Sequence, residues 1–293
     1  MKNLLYHLCA MLSIVLLFSA YAYGQETEGD EILWNIETAD GNEYFGKILK
    51  RDPNEIVLET ENLGIITIRM DQVRSMRVVN PQQIIDGEVW MENPQAARYF
   101  WAPNGYSLKR GEGYYQNVWV MFNQVSVGVT DQFSLGIGTV PLFFFGTVTP
   151  VWITPKVSIP IKKDKVNMGA GALLGTVIGE EESGFGLAYG VATFGSRDKN
   201  LNVGLGYGFA GGEWADTPTI TVSGMIRTGR RGYLLTENYI LDAGESNFVM
   251  LSLGGRVVWS KLSLDFGGFI PAGGDVDTFI IVPWLGFVVP FGR

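Results

Sequence analysis

From residue 97 to the C-terminus, the chain repeats a segment of about ten residues in which large apolar side chains alternate with small or polar ones, followed by a turn. In residues 201–209, leucine, valine, tyrosine and phenylalanine alternate with asparagine and glycine, and residues 185–192 behave alike. Successive strand residues face opposite sides of a sheet, so each segment predicts a strand with one apolar face and one glycine-rich face. Glycine weakens a solvated sheet surface, whereas a small-residue face suits the interior of a membrane barrel with lipid outside.

The pattern predicts an all-β chain with a transmembrane antiparallel β-barrel of about twelve strands. Ten strands is the alternative, if the first segment is extended linker or if a pair of segments is misread. The predicted strands are residues 97–107, 114–129, 133–141, 150–161, 166–178, 185–195, 201–209, 218–228, 233–241, 247–259, 262–270 and 278–291. An even strand number places both ends of the barrel on one side of the membrane.

The connections between these strands are sorted by charge. If the first strand leaves the periplasm, the periplasmic turns and the C-terminus are mainly basic, whereas the outer loops from the second onward are acidic and contain no Lys or Arg. The first outer loop, with Lys109, Arg110 and Glu112, is an exception. The basic set is Lys162, Lys163, Lys165, Arg197, Lys199, Arg230, Arg231, Lys261 and Arg293, beside Asp131, Asp164 and Asp198; the acidic set is Glu180, Glu181, Glu182, Glu213, Asp216, Asp242, Glu245, Asp275 and Asp277. Turns are polar in most proteins, but polarity alone does not sort charges by sign, so this sorting indicates two distinct faces.

Two apolar segments need a separate explanation. Residues 279–289 are apolar on both faces and contain Pro283, which cannot donate a ladder hydrogen bond. We expect a bulge there, or contact in the lumen with another apolar element. The aromatic run Phe143–Phe145 lies in an outer loop beside Pro141 and predicts an interfacial girdle or a hydrophobic ligand mouth.

The region before the barrel has a different composition. Residues 25–94 hold 15 acidic and 6 basic residues, whereas 32 of the 38 glycines follow residue 95, so we place the domain boundary near Asn93-Pro94. Five short alternating strands with tight turns predict a small closed barrel. These strands are residues 33–38, 43–49, 55–60, 64–70 and 73–79.

The turn residues of this front region resemble those of small SH3-like or Sm-like barrels. The pattern is Thr38-x-Asp40-Gly41, then Gly46-x-Ile48, then Ile65-x-x-Ile68. Such folds bind peptides or RNA, or serve as structural modules. The acidic charge disfavours RNA, so a structural or interaction module is the expectation.

Residues 1–24 read as a signal peptide. Lys2 supplies the positive region, residues 4–18 the apolar core, and the small residues Ala22 and Gly24 a cleavage site before Gln25. The apolar core is shorter than a membrane-spanning helix of about 20 residues. We therefore predict an exported protein with three parts: signal peptide 1–24, small periplasmic β-domain 25–94, and outer-membrane barrel 95–293.

The only Cys and the only His of the chain, Cys9 and His7, lie inside the signal peptide. The mature chain then has no thiol and no imidazole, which excludes disulfides, Cys or His metal sites, and catalysis by a His base. The acidic segments 180–182 and 275–277 lack the spacing of a calcium loop. We predict no catalytic residue, no metal and no cofactor, and the net negative charge disfavours nucleic acid as a partner.

Strand pairing predicts charged groups inside the barrel. If Ser260-Lys261 is a two-residue hairpin turn, Arg256 falls directly opposite Asp265 on the face away from lipid, and the two form an ion pair. The same alternation places Lys156, Arg227 and Glu237 on the inward face of their strands. These candidate lumen charges are either a selectivity or substrate-contacting set, or polar filling of a narrow barrel.

Two phrases carry a family resemblance. The run Gly111-Glu112-Gly113-Tyr114-Tyr115-Gln116-Asn117 and the strand-turn-strand phrase from Val125 to Gly136 resemble uncharacterised outer-membrane β-barrel proteins of the Bacteroidota. The resemblance covers residues 95–140 and implies location and fold. It supplies no catalytic residues.

We expect a non-enzymatic outer-membrane barrel that is structural, docks a partner or forms a narrow pore, since twelve strands lie between filled and channel-forming barrels. Outer-membrane lipid is the expected partner, together with the cell wall or a periplasmic protein bound through residues 25–94. The alternatives are a soluble secreted β-protein that binds a ligand, and a lipid-modifying enzyme that works without His.

Overall fold

The computed structural model describes residues 32–79, 84–85, 88–146, 148–180, 183–242, 247–273 and 278–292. The predicted signal peptide lies outside these residues. The chain forms two compact units that divide between Val89 and Trp90, five residues before the predicted boundary at Pro94. Among the described residues, no helix is long and apolar enough to cross a membrane.

The first unit contains the five strands that alternation predicts. They are β1 Leu33–Thr38, β2 Glu43–Arg51, β3 Glu55–Thr60, β4 Gly64–Arg69 and β5 Val73–Val79, with the short pair β6 Ile84–Ile85 and β7 Glu88–Val89 following. Antiparallel pairing gives the order β4-β3-β2-β1-β5. Inward side chains of three strands form an apolar core from Ile36, Ile56, Leu58 and Ile68. Within residues 32–79 this pairing is that of an open sheet, and its closure into an SH3-like barrel stays a prediction.

The second unit is a closed antiparallel barrel of twelve full-length strands, as predicted. The strands are β8 Gly113–Val118, β9 Phe122–Gly128, β10 Phe133–Thr139, β11 Thr149–Lys162, β12 Val166–Ile178, β13 Phe185–Gly195, β14 Lys199–Ala210, β16 Thr219–Arg227, β17 Gly232–Asp242, β18 Asn247–Val258, β19 Ser263–Gly273 and β20 Val282–Phe291; the short β15 Glu213–Trp214 folds back on β14. Each strand pairs with the next full-length strand, and β20 pairs with β8 to close the ring.

Two predicted strands were wrong, and the errors cancel in the total. Residues 97–107 form no strand, and residues 114–129 are two strands joined by a tight turn. That turn has positive φ at Trp119 and Val120, with the Met121 N–H donating to the Val118 carbonyl (3.0 Å). Turn residues with positive φ are normally glycine or asparagine, so a turn formed by Trp119 and Val120 cannot be recognised from its amino acids.

The alternation predicts the inward and outward faces of the wall correctly on β14 and wrongly on β13. On β14, Leu201, Val203 and Leu205 project outward and are exposed, whereas Asn200 and Asn202 project inward and are buried. The outer face of this strand is therefore apolar, and its inner face is polar or small.

On β13 the two faces are reversed. Thr193 accepts a hydrogen bond from the plug and Tyr189 and Val191 share its inward face, whereas Gly190 is exposed on the outside. Large side chains therefore fill the lumen on that side, and the small residues of β13 face outward.

The two ends of the barrel differ in charge. We call the end where β8 begins and β20 ends the terminal end, and the opposite end the loop end. Among the described residues, loop-end connections carry Glu180, Glu213 and Asp216 and no Lys or Arg. Glu181, Glu182, Glu245, Asp275, Asp277 and Arg293 lie outside the described residues.

The prediction that Lys109, Arg110 and Glu112 lie in an outer loop, as an exception to the charge sorting, was wrong. The Arg110 N–H donates to Asp131 Oδ1 (2.9 Å), and the Gly111 N–H donates to the Gly128 carbonyl (2.9 Å). These residues therefore lie at the terminal end beside the turn at 129–132, because no strand crosses the barrel before them. Both cations join the basic end, and the charge sorting becomes more complete.

The segment around Pro283 has no bulge. β20 begins at Val282 and pairs with β19 without a shift in register. Of the two expectations, lumen contact is the correct one: the Trp284 side chain is buried against an apolar cluster inside the barrel. In β11, Pro155 lies at an interruption of the β11–β12 ladder, between the pairs Ile153–Leu174 and Lys156–Gly171.

Candidate functional site: the barrel lumen

A chain segment occupies the inside of the barrel. Residues 90–112, which we call the plug, connect the first unit to β8. Residues 93–100 and 104–108 are all buried, and the hydrogen bonds and ring contacts of the plug reach inward side chains on strands from β9 to β20. The predicted first strand is therefore the filling of the lumen.

A tight turn shapes the plug. The Tyr99 N–H donates to the Ala102 carbonyl (3.0 Å), and the Asn104 N–H donates to the Ala97 carbonyl (3.1 Å). Asn104 Nδ2 also donates to the Ala96 carbonyl (2.8 Å). Buried backbone groups need partners, and this turn satisfies only some of them. The remaining N–H and C=O groups are available to the wall.

Arg256 and Asp265 form a buried ion pair at the register that the hairpin turn predicts. Nε of Arg256 donates to Asp265 Oδ1 (2.6 Å) and Nη2 donates to Oδ2 (2.9 Å), so the pairing is bidentate. The guanidinium also donates to the carbonyls of Tyr99 (2.7 Å) and Gln95 (3.1 Å). The pair thus connects two wall strands to the plug.

Glu237 is fully buried and holds the tip of the plug turn. Its Oε2 accepts hydrogen bonds from the N–H groups of Trp101 (2.8 Å) and Ala102 (2.9 Å), and Oε1 accepts one from Tyr239 Oη (2.6 Å). Three donors converging on one carboxylate satisfy most of its acceptor capacity.

Lys156 binds the opposite side of the plug. Its Nζ donates to the carbonyls of Tyr106 (2.5 Å) and Ala97 (3.0 Å), and the side chain is buried. The ammonium group therefore clamps the two ends of the segment that the plug turn encloses.

Arg227 fixes the entrance of the plug at the terminal end. Nη2 donates to the Met91 carbonyl (2.6 Å), and Nη1 lies 3.1 Å from Asp198 Oδ2. The guanidinium packs against the rings of Trp90 (4.8 Å) and Tyr233 (5.1 Å). All five candidate lumen charges lie inside the barrel, and the four other than Asp265 bind the plug directly.

Apolar packing holds the other part of the plug. The Phe100 ring contacts Phe269 (5.7 Å between centroids) and Trp284 (5.6 Å), and Trp101 contacts Phe122 (5.8 Å). Edge-on aromatic pairs of this kind are worth about 0.5–1.5 kcal/mol each beyond their buried area.

Two paired glycines make room for Phe100. Gly254 and Gly267 face each other on β18 and β19, and both project into the lumen. A Cβ on Gly254 would lie 2.1 Å from the Phe266 carbonyl oxygen and 2.9 Å from the Phe100 ring, and a Cβ on Gly267 would lie 3.2 Å from that ring. At this position the glycine-rich inner face is a shape requirement of the plug.

Several plug contacts were not predicted from the sequence. Tyr99 Oη donates to Asn200 Oδ1 (2.6 Å), and the Gly105 N–H donates to Thr193 Oγ1 (2.7 Å). Arg197 Nη2 donates to the Ser107 carbonyl (2.9 Å). Asn200 and Thr193 lie at inward positions of their strands, and Arg197 lies in the β13–β14 turn. Their role depends on the irregular path of the plug, which has no periodicity.

A cavity of about 120 Å³ remains between the plug and the wall formed by β8 to β13. It is lined by Arg98, Lys156 and polar wall residues that include Gln116 and Gln124. Arg98 lies 5.5 Å above the Tyr114 ring and donates to backbone carbonyls of the plug, while its Nε has no partner among the described residues. The space is small, and the plug residues 93–100 and 104–108 beside it are all buried.

No protein-family model matches the chain, and the search of curated proteins found no significant match. Solved structures with a similar arrangement include OmpT, an outer-membrane protein of Vibrio cholerae, with 10% identity and a TM-score of 0.33 over 91% of this chain and 100% of that chain. A deletion mutant of that protein lacking loop L8 gives 11% identity and a TM-score of 0.34 over 89% of this chain and 96% of that chain. Because these scores are low, the barrel assignment here rests on the strand pairing itself.

Proposed function

We propose that this protein is a non-enzymatic outer-membrane β-barrel that anchors its N-terminal domain on the periplasmic side, and that the plug keeps the barrel closed. The apolar outer face of the wall supports a location in lipid, since such a face is otherwise unfavourable in water. The basic terminal end and acidic loop end support a fixed orientation.

The main support for this proposal is what the charged side chains of the lumen bind. Arg256, Glu237, Lys156 and Arg227 each bind backbone groups of the plug, so their hydrogen-bonding capacity is directed to holding it. A selectivity or substrate-contacting set would leave these charged groups facing open space, whereas of the four only Lys156 also lines the cavity beside the plug. The arrangement favours polar filling, which makes the lumen rigid and seals it.

The chain path supports the anchoring role. The plug is the segment that directly follows the N-terminal unit in the chain. Because the plug backbone is fixed inside the barrel, the chain that leaves the N-terminal unit is tied to the membrane. A module held in this way is suited to contact the cell wall or a periplasmic protein.

The first test is cell fractionation with gel mobility before and after boiling. An outer-membrane fraction and a heat-dependent mobility shift are expected for a closed barrel. Recovery in the soluble periplasmic fraction without a shift would favour the soluble ligand-binding alternative. Lipid hydrolysis by the purified protein, lost on substitution of one inward carboxylate, would favour the lipid-modifying enzyme.

Planar-bilayer conductance then tests the closed lumen. The intact protein is expected to conduct little, whereas a variant with residues 95–107 replaced by a Gly-Ser linker of equal length is expected to form stable open channels. The cavity of about 120 Å³ beside the plug favours the narrow pore as second candidate. Porin-like conductance of the intact protein would establish that candidate and overturn the seal.

A further inference from the structure

The wall of the barrel is shorter along the barrel axis at β8, β9 and β10 than elsewhere, and we call this sector the low wall. Strands β8, β9 and β10 have 6, 7 and 7 residues, whereas the other nine strands of the closed ring have between 9 and 14. A strand needs about 9–11 residues to cross the hydrocarbon core of a membrane. The three neighbouring strands are therefore too short to cross it alone.

The shortfall lies at the loop end. Gly113 pairs with Phe291 at the terminal end, so β8 and β20 are level there. At the other end, Val118 closes β8 opposite Gly286, and β20 continues beyond Gly286 to Val282. The loops that follow these short strands consequently lie closer to the mid-height of the barrel than the other loops.

Three apolar loop segments surround the low wall. They are the β8–β9 turn at 119–121, the β10–β11 connection at 140–146, and the described part of the β19–β20 connection at 278–281. Their exposed residues are Trp119, Val120, Met121, Leu142, Phe143, Phe144, Phe279, Ile280 and Ile281. Val120 is 78% exposed and Phe279 is 74% exposed. No charged residue lies in these three segments, although Asp275 and Asp277 precede the third segment in the same connection.

The backbone at the lowest loop is held in a costly conformation. Trp119 and Val120 have φ of 52° and 63°, which is unfavourable for L-residues and most of all for β-branched valine. Trp119 Nε1 donates to the Pro283 carbonyl (2.8 Å), and its ring packs against Trp284 (5.1 Å). The turn is thus fixed to β20 with Val120 projecting away from the wall.

We infer that these three segments lie within the hydrocarbon region of the bilayer and contact lipid acyl chains, completing the lipid-facing belt where β8 to β10 are too short. The inference rests on the proposed outer-membrane location. Apolar and exposed segments without charge fit acyl chains, whereas the loops on the other side carry Glu180, Glu213 and Asp216 and fit water. A short wall of this kind also thins the adjacent bilayer or tilts the barrel toward it.

Single-cysteine spin labelling tests this inference, because Cys9 is the only cysteine and lies in the signal peptide. Labels are placed at V120C, F144C and F279C in the full mature chain in phospholipid bilayers. L205C, on the outer face of β14, reports the belt, and E213C reports water at the loop end. Collision rates with dissolved oxygen and with a water-soluble nickel chelate give the depth of each label.

Oxygen-to-nickel ratios at the three loop positions that match L205C and exceed E213C are the expected result. Ratios that match E213C while L205C stays lipid-exposed would overturn the inference and leave the proposed membrane location intact. If L205C itself behaves like E213C, the proposed location fails and the inference fails with it. Heat-dependent gel mobility of each labelled variant confirms that the barrel is folded, and three positions guard against one that does not fold.

Discussion

Arg256 and Asp265 face each other across β18 and β19 with both side chains buried, joined by bonds of 2.6 Å and 2.9 Å. The same guanidinium donates to the plug carbonyls of Tyr99 and Gln95. The pair is therefore a junction between the wall and the plug, and its loss should affect both.

A double-mutant cycle on this junction measures the coupling. Removing one partner leaves an unpaired buried charge, so R256M or D265N alone is expected to cost about 3–5 kcal/mol of unfolding free energy. The double variant should cost less than the sum of the two, by about 0.5–3 kcal/mol. Denaturant unfolding in micelles provides the values. Strict additivity would show that the two side chains do not interact.

Sequence reasoning located this pair because a two-residue turn at Ser260-Lys261 fixes the register of a regular ladder. The inward parity of Lys156, Arg227 and Glu237 follows from the same regularity. The partners of these groups could not be found, since residues 97–107 imitate a strand by composition but follow an irregular path set by the wall. The predicted total of twelve strands was correct because two errors cancelled. The plug was counted as a strand, and the turn at Trp119-Val120 was missed.

Glu237 provides a test of how firmly the plug is held. E237Q keeps the shape of the side chain but replaces a carboxylate by a neutral acceptor, which forms weaker hydrogen bonds with the Trp101 and Ala102 N–H groups. We expect a loss of about 1–3 kcal/mol in stability and brief channel openings in planar bilayers. E213Q, at an exposed position of the loop end, is the matched control. Unchanged stability and conductance in E237Q would show that Glu237 does not hold the plug.

The glycines beneath Phe100 predict a steric effect. G254A places a methyl group against the Phe266 carbonyl and the Phe100 ring, so the backbone must shift or the ring must leave its position. Overpacking of this kind typically costs 1–3 kcal/mol. G190A is the control, because a Cβ there meets nothing within 4 Å. Thermal unfolding should separate the two variants, and equal melting temperatures would contradict the tight fit of the plug.

Asp52 in the first unit predicts a local pH response. Hydrogen bonds from Lys50 and from the N–H groups of Asn54 and Glu55 lower the pKa of this carboxyl to about 2. A lowered folded pKa stabilises the fold above the unfolded value of about 3.9, and this contribution is lost as the pH falls through about 2. NMR titration of the full chain should give a midpoint near 2 for Asp52. K50M should raise this midpoint, whereas R51M, which removes a neighbouring charge outside the hydrogen-bond set, should leave it largely unchanged.

The charge difference between the two ends predicts the orientation of the barrel in cells. Bacterial barrels place short turns in the periplasm and longer loops outside, and here the basic terminal end has the short turns. In intact cells, a membrane-impermeant maleimide is therefore expected to label E213C at the loop end and not K163C at the terminal end. Both should react after the outer membrane is permeabilised, which shows that the two sites are accessible. Labelling of K163C alone in intact cells would reverse the orientation and place the acidic loops and the low wall on the periplasmic side.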